Sequence, residues 1–360
     1  MLRALARVNL AAIERNCGRL RAAAGDAELC AVVKGDGYGH GAVLSAVAAL
    51  AGGATWLGVA TANEAMDLRM AGIEARLLVL GAISPEELGV ALAADADLVV
   101  WTEAFADAAA GARLHVKLDS GMGRLGTRDA ERAARLAARE DVVGLMTHFA
   151  TADERGDDFL GEQLGRFTEW VAPLKDARPE LVVHAANSAA TLRQPAAHFD
   201  LVRCGIAVYG MDPFQEDPSA VGLEPALSLE SYVAAVKDCA PGESAGYGRR
   251  FVASSPTKLG TLPIGYADGV RRALTNNADV LVGGRRVPLV GTVSMDNVTV
   301  DLGPETDVEV GAPAVLIGEQ GGERILAEEV ARRLDTINYE VTCGITHRVM
   351  REYHRDGEPE

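Results

Sequence analysis

The chain has 360 residues, 48% of them hydrophobic and 24% charged, which is typical of a globular protein with two domains or with one barrel and an appendage. Acidic residues outnumber basic residues by 51 to 35, and the net charge of -16 argues against nucleic acid as a partner. Five scattered cysteines without a C-x-x-C pair, no signal-peptide core and no uninterrupted apolar span predict a cytoplasmic protein without a membrane segment.

The first predicted strand of the main repeat pattern, Cys30 to Val33, ends in a lysine that precedes a glycine-rich turn. A buried strand would carry the amine of Lys34 into a poorly solvated site, where the charged form is disfavoured and the neutral amine can attack a carbonyl. The glycines of residues 35–41 let the backbone approach a ligand closely. A lysine that reaches solvent from a strand end, followed by an ordinary turn, is the alternative at this point.

Short runs rich in β-branched residues alternate with alanine-rich helical stretches from about Glu28 to Gly210. This alternation predicts a parallel sheet with crossover helices, and eight runs favour a (β/α)8 barrel, with a doubly wound open sheet as the alternative. The runs are Cys30 to Val33, Trp56 to Ala60, Leu77 to Leu80, Leu98 to Trp101, Leu114 to Leu118, Val142 to His148, Leu181 to His184 and Leu201 to Arg203.

Polar residues follow several of these runs, and barrel enzymes place their active sites at the carboxyl ends of the strands. Each residue alone also has a structural interpretation: His148 could be a satisfied core histidine and Arg203 an ordinary ion-pair partner. Their shared placement favours a site. Its candidate members are Lys34, Lys117, Arg124, His148, Asn187, Ser188, Arg203, Gly205 and Ile206.

Phosphate binding is predicted after the seventh and eighth runs. Ser188 opens a short helix and Gly205-Ile206 follows the last run, which are the positions where such barrels hold a phosphate. A serine at a helix start could equally be a simple N-cap. A reactive lysine and a phosphate cradle in one pocket suggest pyridoxal phosphate, which carries both an aldehyde and a phosphate.

Metal catalysis is a weaker hypothesis. His115, His148 and His184 stand near strand ends, as histidines do in barrel hydrolases. However, no H-x-H follows the first run and we expect no carboxylate beside these histidines, so we predict no metal site.

The pattern changes after Tyr209. An acidic, proline-containing stretch at residues 212–219 predicts an exposed connection, and short glycine-punctuated strands follow from about Ala226. We therefore predict a barrel over residues 10–225 and a mainly β domain over residues 226–360 joined by residues 1–9. The predicted elements of this domain are Thr257 to Ile264, Val280 to Val282, Val287 to Val290, Val298 to Val300, Ala314 to Ile317 and one helix, Ala327 to Leu334.

Three motifs together resemble the alanine racemases, a family of pyridoxal-phosphate enzymes, over about Ala6 to Tyr353. Residues 33–41 resemble the cofactor-lysine signature, residues 115–126 the arginine segment and residues 246–251 the catalytic-tyrosine segment, and Asn338-Tyr339-Glu340 completes the set. The resemblance implies a barrel with a C-terminal β domain, racemisation of alanine that supplies D-alanine for peptidoglycan, and a homodimer with shared active sites.

The resemblance also implies residue roles. Lys34 would bind the cofactor covalently and act as the base for D-alanine, while Tyr247 from the partner subunit would act on the opposite face. Arg203 would face the pyridine nitrogen and, as a permanently charged donor, leave it unprotonated, which favours racemisation over transamination. The other implied contacts are Tyr38, Ser188, Gly205, Ile206 and Tyr339 for phosphate, Asn187 nearby, His148 between Arg203 and Tyr247, Arg124 and the Met295 backbone for the substrate carboxylate, Tyr266 at the entrance, and Asp296 beside Met295.

Some alternatives remain open from the sequence. Lys117 matches a lysine that some members carbamylate, but a lysine paired with an acid fits equally well. Gly35 and Gly37 stand where the family usually has alanine or another small residue, and we expect them to loosen the turn. A racemase of broader amino-acid range and a pyridoxal-phosphate-binding protein without turnover are the alternative functions.

Overall fold

The structure, a computed structural model, describes residues 2–360 and divides into two compact units. The first comprises residues 13–214 and 219–223, and the second comprises residues 2–12, 215–218 and 224–360. The second unit therefore takes its first strand, β1 (Leu5–Asn9), from far upstream of its remaining residues.

Parallel strands β2 to β9 of the first unit form a closed barrel, in which the last strand pairs with the first in parallel. The predicted (β/α)8 barrel is confirmed, and each predicted run coincides with one strand. The strands are β2 (Glu28–Val32), β3 (Trp56–Val59), β4 (Arg76–Val79), β5 (Ala96–Val100), β6 (Leu114–Lys117), β7 (Val142–Met146), β8 (Val182–His184) and β9 (Leu201–Cys204).

Helices connect the barrel strands, and capping side chains fix several of their starts. Thr61, Thr102 and Asp129 each accept a hydrogen bond from a backbone amide of the first helical turn that follows. The helices are α1 (Leu10–Ala23), α2 (Ala42–Ala51), α3 (Ala62–Met70), α4 (Leu88–Ala93), α5 (Glu103–Ala108), α6 (Ala130–Ala137), α7 (Phe159–Ala177) and α8 (Ser188–Arg193). None of the helices within residues 2–360 has the length and apolar character that crossing a bilayer requires.

A buried apolar cluster joins strands from all around the barrel. Because parallel barrel strands are covered on both faces, nearly all of their residues are buried, and each strand reads as a short apolar run. The cluster consists of Cys30, Trp56, Leu78, Val99, Met146 and Leu201.

The second unit is built on one large sheet, so the predicted mainly β domain is confirmed. The strand order is β11-β14-β17-β16-β15-β18-β10-β1-β20-β21, with β19 paired to β18 and a separate hairpin of β12 and β13. The strands are β10 (Leu227–Tyr232), β11 (Ala235–Cys239), β12 (Ser244–Ala245), β13 (Phe251–Val252), β14 (Thr257–Leu262), β15 (Asp279–Val282), β16 (Arg285–Val290), β17 (Val298–Asp301), β18 (Pro313–Gln320), β19 (Glu323–Ile325), β20 (Met350–Arg355) and β21 (Glu358–Pro359).

Strand β1 lies between β10, to which it is antiparallel, and β20, to which it is parallel. It therefore connects β10, near the start of residues 224–360, with β20, near their end. Two helices complete this unit: α9 (Ala327–Leu334), whose predicted bounds are confirmed, and α10 (Asn338–Cys343).

Candidate active site

Lys34 lies just beyond the carboxyl end of β2 and is half-buried. The next four residues all have positive φ, and the φ values of Gly35, Asp36 and Gly37 are 62, 53 and 61°, so the backbone makes a left-handed turn. A residue with a β-carbon pays ~1–2 kcal/mol for this conformation, whereas glycine adopts it readily. Gly35 and Gly37 therefore form this turn with least strain, and the expectation that they loosen it stays a prediction.

The carboxylate of Glu64 stabilises the turn that follows Lys34. Its Oε1 accepts a hydrogen bond from the amide of Gly35 at 2.7 Å, and its Oε2 accepts one from the amide of Ala60 at 2.7 Å. Glu64 also forms a capping box with Thr61 at the start of α3. Glu64 was not among the predicted site residues, and its capping-box spacing from Thr61 is the only signal of it in the sequence.

The ring of Tyr38 packs beside Tyr209, with 5.2 Å between the ring centroids, and its hydroxyl lies against the backbone of Gly205. A β-carbon at position 205 would lie 2.2 Å from that hydroxyl oxygen. Tyr209 is fully buried, and its own hydroxyl donates to the carbonyl of Val32 at 3.1 Å. Glycine at 205 thus lets the Tyr38 phenol reach the carboxyl end of β9.

The hydroxyl of Ser188 binds the backbone that follows β9. Its Oγ accepts hydrogen bonds from the amides of Gly205 at 3.0 Å and Ala207 at 3.4 Å. The cap of α8 is Asn187, whose side chain accepts from the amide of Ala190 at 2.9 Å. The alternative in which Ser188 is merely an N-cap is therefore wrong. Asn187 supports the helix, and Ser188 lies against the turn that contains the buried Ile206.

Arg203 is a buried cation without a carboxylate partner among residues 2–360. Burial lowers its pKa to about 10, so the guanidinium stays charged at neutral pH. Within the described chain its Nε forms no hydrogen bond. The interpretation of Arg203 as an ordinary ion-pair residue is therefore wrong. Its acceptors are Nδ1 of His184 at 2.9 Å, the carbonyls of Thr147 at 2.9 Å and Ala185 at 3.0 Å, and Nδ1 of His148 at 3.2 Å.

Two of the three predicted histidines form a chain with a carboxylate. Nε2 of His115 is 2.9 Å from Oδ2 of Asp97, and Nδ1 of His115 is 2.8 Å from Nε2 of His184. The expectation that no carboxylate lies beside these histidines is therefore wrong, because Asp97 comes from a different strand and gives no signal by spacing. Across residues 2–360, no group of three or more His, Cys, Asp or Glu side chains is arranged to hold a metal ion.

Lys117 is the last residue of β6 and is almost completely buried. Burial and, after it, the charges of Arg203 and Arg124 lower its pKa to about 8, so that a neutral amine is accessible near physiological pH. In the described part of the chain it forms no ion pair with a carboxylate, so the alternative of a lysine paired with an acid is wrong.

Asp119 shapes the loop that carries Arg124. Its Oδ1 accepts hydrogen bonds from the amides of Gly121 at 3.1 Å and Gly123 at 2.9 Å, and its Oδ2 accepts one from Nε of Arg128 at 2.9 Å. Arg124 itself is exposed and binds no carboxylate among the residues described. Its guanidinium is therefore available to an anionic ligand.

His148 lies where several cations of the barrel converge. Burial and then the charge of Arg203 hold its pKa well below the ordinary value, so the imidazole is neutral. The carbonyl of His148 accepts a hydrogen bond at 3.2 Å from Gln163, a fully buried residue that the sequence analysis missed. The other charges that act on the imidazole are those of Lys117, Arg124 and Lys34. The carboxyl end of the barrel is thus suited to an anionic ligand.

The remaining predicted residues lie in the second unit, where one segment, Gly291 to Met295, contains one of them and binds the backbone of two others. Tyr247 is 76% exposed, and its carbonyl accepts a hydrogen bond from Oγ1 of Thr292 at 2.6 Å. Tyr266 is 42% and Met295 52% exposed, and the amide of Tyr266 donates to the carbonyl of Ser294 at 3.0 Å. These large side chains therefore stand exposed on well-anchored backbone.

Asp296 and Tyr339 also belong to this unit. Oδ1 of Asp296 accepts a hydrogen bond from Arg348 at 2.7 Å, so its carboxylate forms an ion pair. Tyr339 is half-buried in α10, next to Asn338, whose side chain donates to Glu328 at 2.9 Å.

Comparison with known proteins decides the family. The profile of the alanine racemase N-terminal domain matches residues 8–213, and that of the alanine racemase C-terminal domain matches residues 226–353. The chain belongs to the alanine racemase family.

Alanine racemases from several bacteria are similar over the full chain. The alanine racemase of Symbiobacterium thermophilum is 44% identical over 97% of this chain and 96% of its own length. Alanine racemase 1 of Bacillus subtilis is 40% identical over 98% of this chain and 93% of its own length. The crystal structure of alanine racemase from D-cycloserine producing Streptomyces lavendulae has a TM-score of 0.93, with 38% identity and coverage of 98% and 97% of the two chains.

Proposed function

We propose that this protein interconverts L-alanine and D-alanine with pyridoxal 5'-phosphate as its cofactor. The observation that carries the proposal is the buried guanidinium of Arg203, which has no carboxylate partner among residues 2–360 and an unused Nε donor. Similarity supports the substrate, because relatives of 40 to 44% identity are named alanine racemase. A Bacillus anthracis alanine racemase, 39% identical with a TM-score of 0.92, was solved with bound L-Ala-P.

The barrel residues fit this cofactor. The Ser188 hydroxyl, the Gly205 backbone and the Tyr38 phenol converge in a cradle that a β-carbon at position 205 would fill. Arg203, two residues earlier on β9, offers a cation to a ring nitrogen. The residues proposed to hold the phosphate are Tyr38, Ser188, Gly205, Ile206 and Tyr339, with Asn187 supporting α8.

When bound, the cofactor supplies the electron-withdrawing system that makes the α-proton of alanine removable. Lys34 would hold the cofactor covalently, and its amine would take and return the α-proton of D-alanine at Nζ. Tyr247 holds and moves the proton of L-alanine at its phenolic oxygen on the opposite face. Inversion at one carbon needs this pair, because a proton leaves one face and another arrives at the other.

Arg203 decides which reaction follows. A guanidinium can only donate hydrogen bonds, so it leaves the ring nitrogen that it faces without a proton. A weaker electron sink in the bound cofactor would favour return of a proton to the α-carbon over transamination or decarboxylation. His148 accepts from Arg203 at 3.2 Å and is proposed to extend this contact toward Tyr247.

The substrate carboxylate is proposed to bind the exposed guanidinium of Arg124, held by the loop that Asp119 organises, and the backbone of Met295. Tyr266 and Tyr339 would narrow the entrance. Carbon dioxide is proposed to carbamylate Lys117, since its neutral amine is nucleophilic and the resulting anion would pair with the neighbouring Arg124 and Arg203 charges.

We propose a homodimer in which the partner's second unit completes each barrel site. The exposure of Tyr247, Tyr266 and Met295 supports it, because large side chains anchored to one segment and left open to solvent suit an interface. The proposed place of action is the cytoplasm, where the D-alanine product would enter peptidoglycan synthesis.

The test is incubation with L-alanine in heavy water. We expect D-alanine to form with deuterium at the α-carbon, together with an absorption of the purified protein that borohydride removes. Serine, lysine and arginine as alternative substrates measure the range. The absence of both D-alanine and α-deuteration would overturn the proposal, and an intact absorption without turnover would leave a binding protein instead.

A further inference from the structure

A continuous hydrogen-bonded chain crosses the barrel interior from Asp97 to Arg203. Oδ2 of Asp97 is 2.9 Å from Nε2 of His115, whose Nδ1 is 2.8 Å from Nε2 of His184. Nδ1 of His184 is in turn 2.9 Å from Nη1 of Arg203. Asp97, His115 and His184 are completely buried and Arg203 is 4% exposed, so water has little access to these bonds.

The two ends of this chain dictate its proton order. Arg203 can only donate, so Nδ1 of His184 accepts and, in a neutral ring, Nε2 of His184 carries the proton. That proton points to Nδ1 of His115, so the proton of His115 lies on Nε2. This final proton meets the carboxylate of Asp97, which can only accept when ionised. One arrangement therefore satisfies every bond.

The electrostatic surroundings favour the charge states that this order needs. Burial lowers the pKa of His115, and burial followed by the charge of Arg203 holds the pKa of His184 well below its ordinary value, so both rings are neutral. Burial opposes ionisation of Asp97, but the hydrogen bond from His115 and the contacts of Arg76 outweigh it and lower the pKa of its carboxyl.

The neighbours of Asp97 are all donors. Arg76 donates to Oδ2 from Nε at 2.8 Å, and Arg113 donates to Oδ1 from Nε at 2.6 Å. The Trp56 ring meets the His115 ring edge-on with 5.7 Å between centroids, which limits rotation of the imidazole. The carboxylate is therefore the only acceptor that these contacts give to Nε2 of His115.

The fold makes room for the chain at Gly144 of β7. A β-carbon there would lie 2.1 Å from Nδ1 of His115, so any larger residue would displace the imidazole from His184. Glycine inside a strand has a cost in backbone entropy, and here it is explained by the close approach of the ring.

We propose that Asp97 is a positioning residue for Arg203: by accepting from Nε2 of His115 it completes, with Arg203 at the other end, the one proton order in which His184 holds the guanidinium. Nη1 binds His184 and Nη2 binds the Thr147 and Ala185 carbonyls, so Nε is the guanidinium nitrogen of Arg203 that has no hydrogen bond within the described chain and is left for a ligand. The proton order of the two histidines does not depend on a bound cofactor. Its consequence for the cofactor ring nitrogen rests on the proposed function.

The direct test is ¹⁵N NMR of the histidine rings in the purified protein. The chain has 7 histidines, and the two resonance sets are assigned by their loss in His115→Gln and His184→Gln. We expect both rings to be neutral with the proton on Nε2. A proton on Nδ1 of His184, or a charged ring at either position in the wild-type protein, would overturn the proposal.

The Asp97→Ala variant tests the cause of the order. We expect His115 to lose its single form or to show exchange broadening, because its Nε2 then lacks an acceptor while Arg203 still directs Nδ1 of His184. An unchanged His115 spectrum would show that Asp97 does not set the order. The matched control is Asp95→Asn, which removes an exposed carboxylate 2.9 Å from Arg113 but contacts no histidine. Asparagine is chosen because position 95 has a φ of 48°, which asparagine tolerates.

Kinetics provide a second readout. We expect Asp97→Ala to lower kcat for alanine by about 10- to 100-fold, the range of outer-shell partners, with little change in KM because Arg203 does not bind the substrate carboxylate. The control should leave both unchanged. A wild-type protein with the expected tautomers but no racemisation would refute the proposed function and leave this inference standing. Reversed tautomers in an active enzyme would refute this inference and leave the proposed function standing.

Discussion

The hydroxyl oxygen of Tyr38 lies only 2.2 Å from the position that a β-carbon of residue 205 would take. Gly205, just after β9, therefore allows the phenol of Tyr38 to reach the backbone to which Ser188 is hydrogen-bonded. Two segments distant in sequence thus share one cradle, and the contact depends on the absence of one methyl group.

Gly205→Ala is expected to push the Tyr38 hydroxyl out of the cradle and to weaken cofactor binding by about tenfold or more, as loss of a hydrogen bond to a charged group would. Titration of the apoenzyme with pyridoxal phosphate measures the change. Gly89→Ala is the control, since residue 89 is part of α4 and nothing lies within 4 Å of the position that its β-carbon would take. Equal affinity for both variants would contradict the assignment of this cradle.

Gly35→Ala is expected to lower the free energy of unfolding by about 1 kcal/mol, because alanine at a φ of 62° is strained while the surrounding space is open. Urea denaturation measures it. Gly25→Ala, at a φ of 66° and equally open, should lose a similar amount of stability, but only Gly35→Ala should also lower kcat, because residue 35 adjoins Lys34. A gain in stability for Gly35→Ala would favour the original expectation of a loosened turn.

The lowered pKa of Lys117 predicts a pH dependence of stability. In the folded protein the pKa is about 8, against 10.5 for an unperturbed lysine, so between these values the unfolded chain binds more protons. Stability should therefore rise with pH across that window, relative to a Lys117→Met variant that lacks the titration. Denaturation curves in carbon-dioxide-free buffer measure the difference.

Bicarbonate separates carbamylation from simple titration. A carbamate on Lys117 no longer gains the proton that the amine would gain, so added bicarbonate should abolish the difference in pH dependence between wild type and Lys117→Met. Persistence of that difference in bicarbonate would show that Lys117 remains a free amine. Mass spectrometry under native conditions is an independent measurement of the same adduct.

Shared active sites predict complementation between two inactive variants. Lys34→Ala and Tyr247→Phe should each lack racemase activity as homodimers, while Tyr247→Phe should keep the cofactor absorption. After subunit exchange, the mixed dimer would contain one site with both natural residues, and activity should return. Mixtures that stay inactive, despite mixed dimers detected by differential tags, would place Lys34 and Tyr247 of one chain in the same site.

The architecture of the barrel could be predicted from the sequence because local patterns encode it. Each strand is a short apolar run that is buried on both faces, and each helix begins near a polar cap such as Thr61 or Asp129. The same was true of α9, whose apolar spacing gave its bounds. The lysine motif could likewise be found by composition, since an isolated lysine between a strand and several glycines is unusual.

Backbone conformation and side-chain roles were less accessible. The glycines after Lys34 suggested added freedom, but only coordinates show that φ is positive there and that glycine relieves strain. Ser188 and Asn187 are neighbours with similar capping ability, so spacing could not decide which of them caps α8 and which turns toward Gly205.

Periodicity and contiguous motifs were enough to predict the barrel, the β domain, the family resemblance and the lysine at the first strand end. No local pattern shows that Asp97, His115, His184 and Arg203 form one hydrogen-bonded chain, which depends on the folded arrangement of the strands. These residues come from four different strands, and closure of the barrel is what brings their side chains within hydrogen-bonding distance.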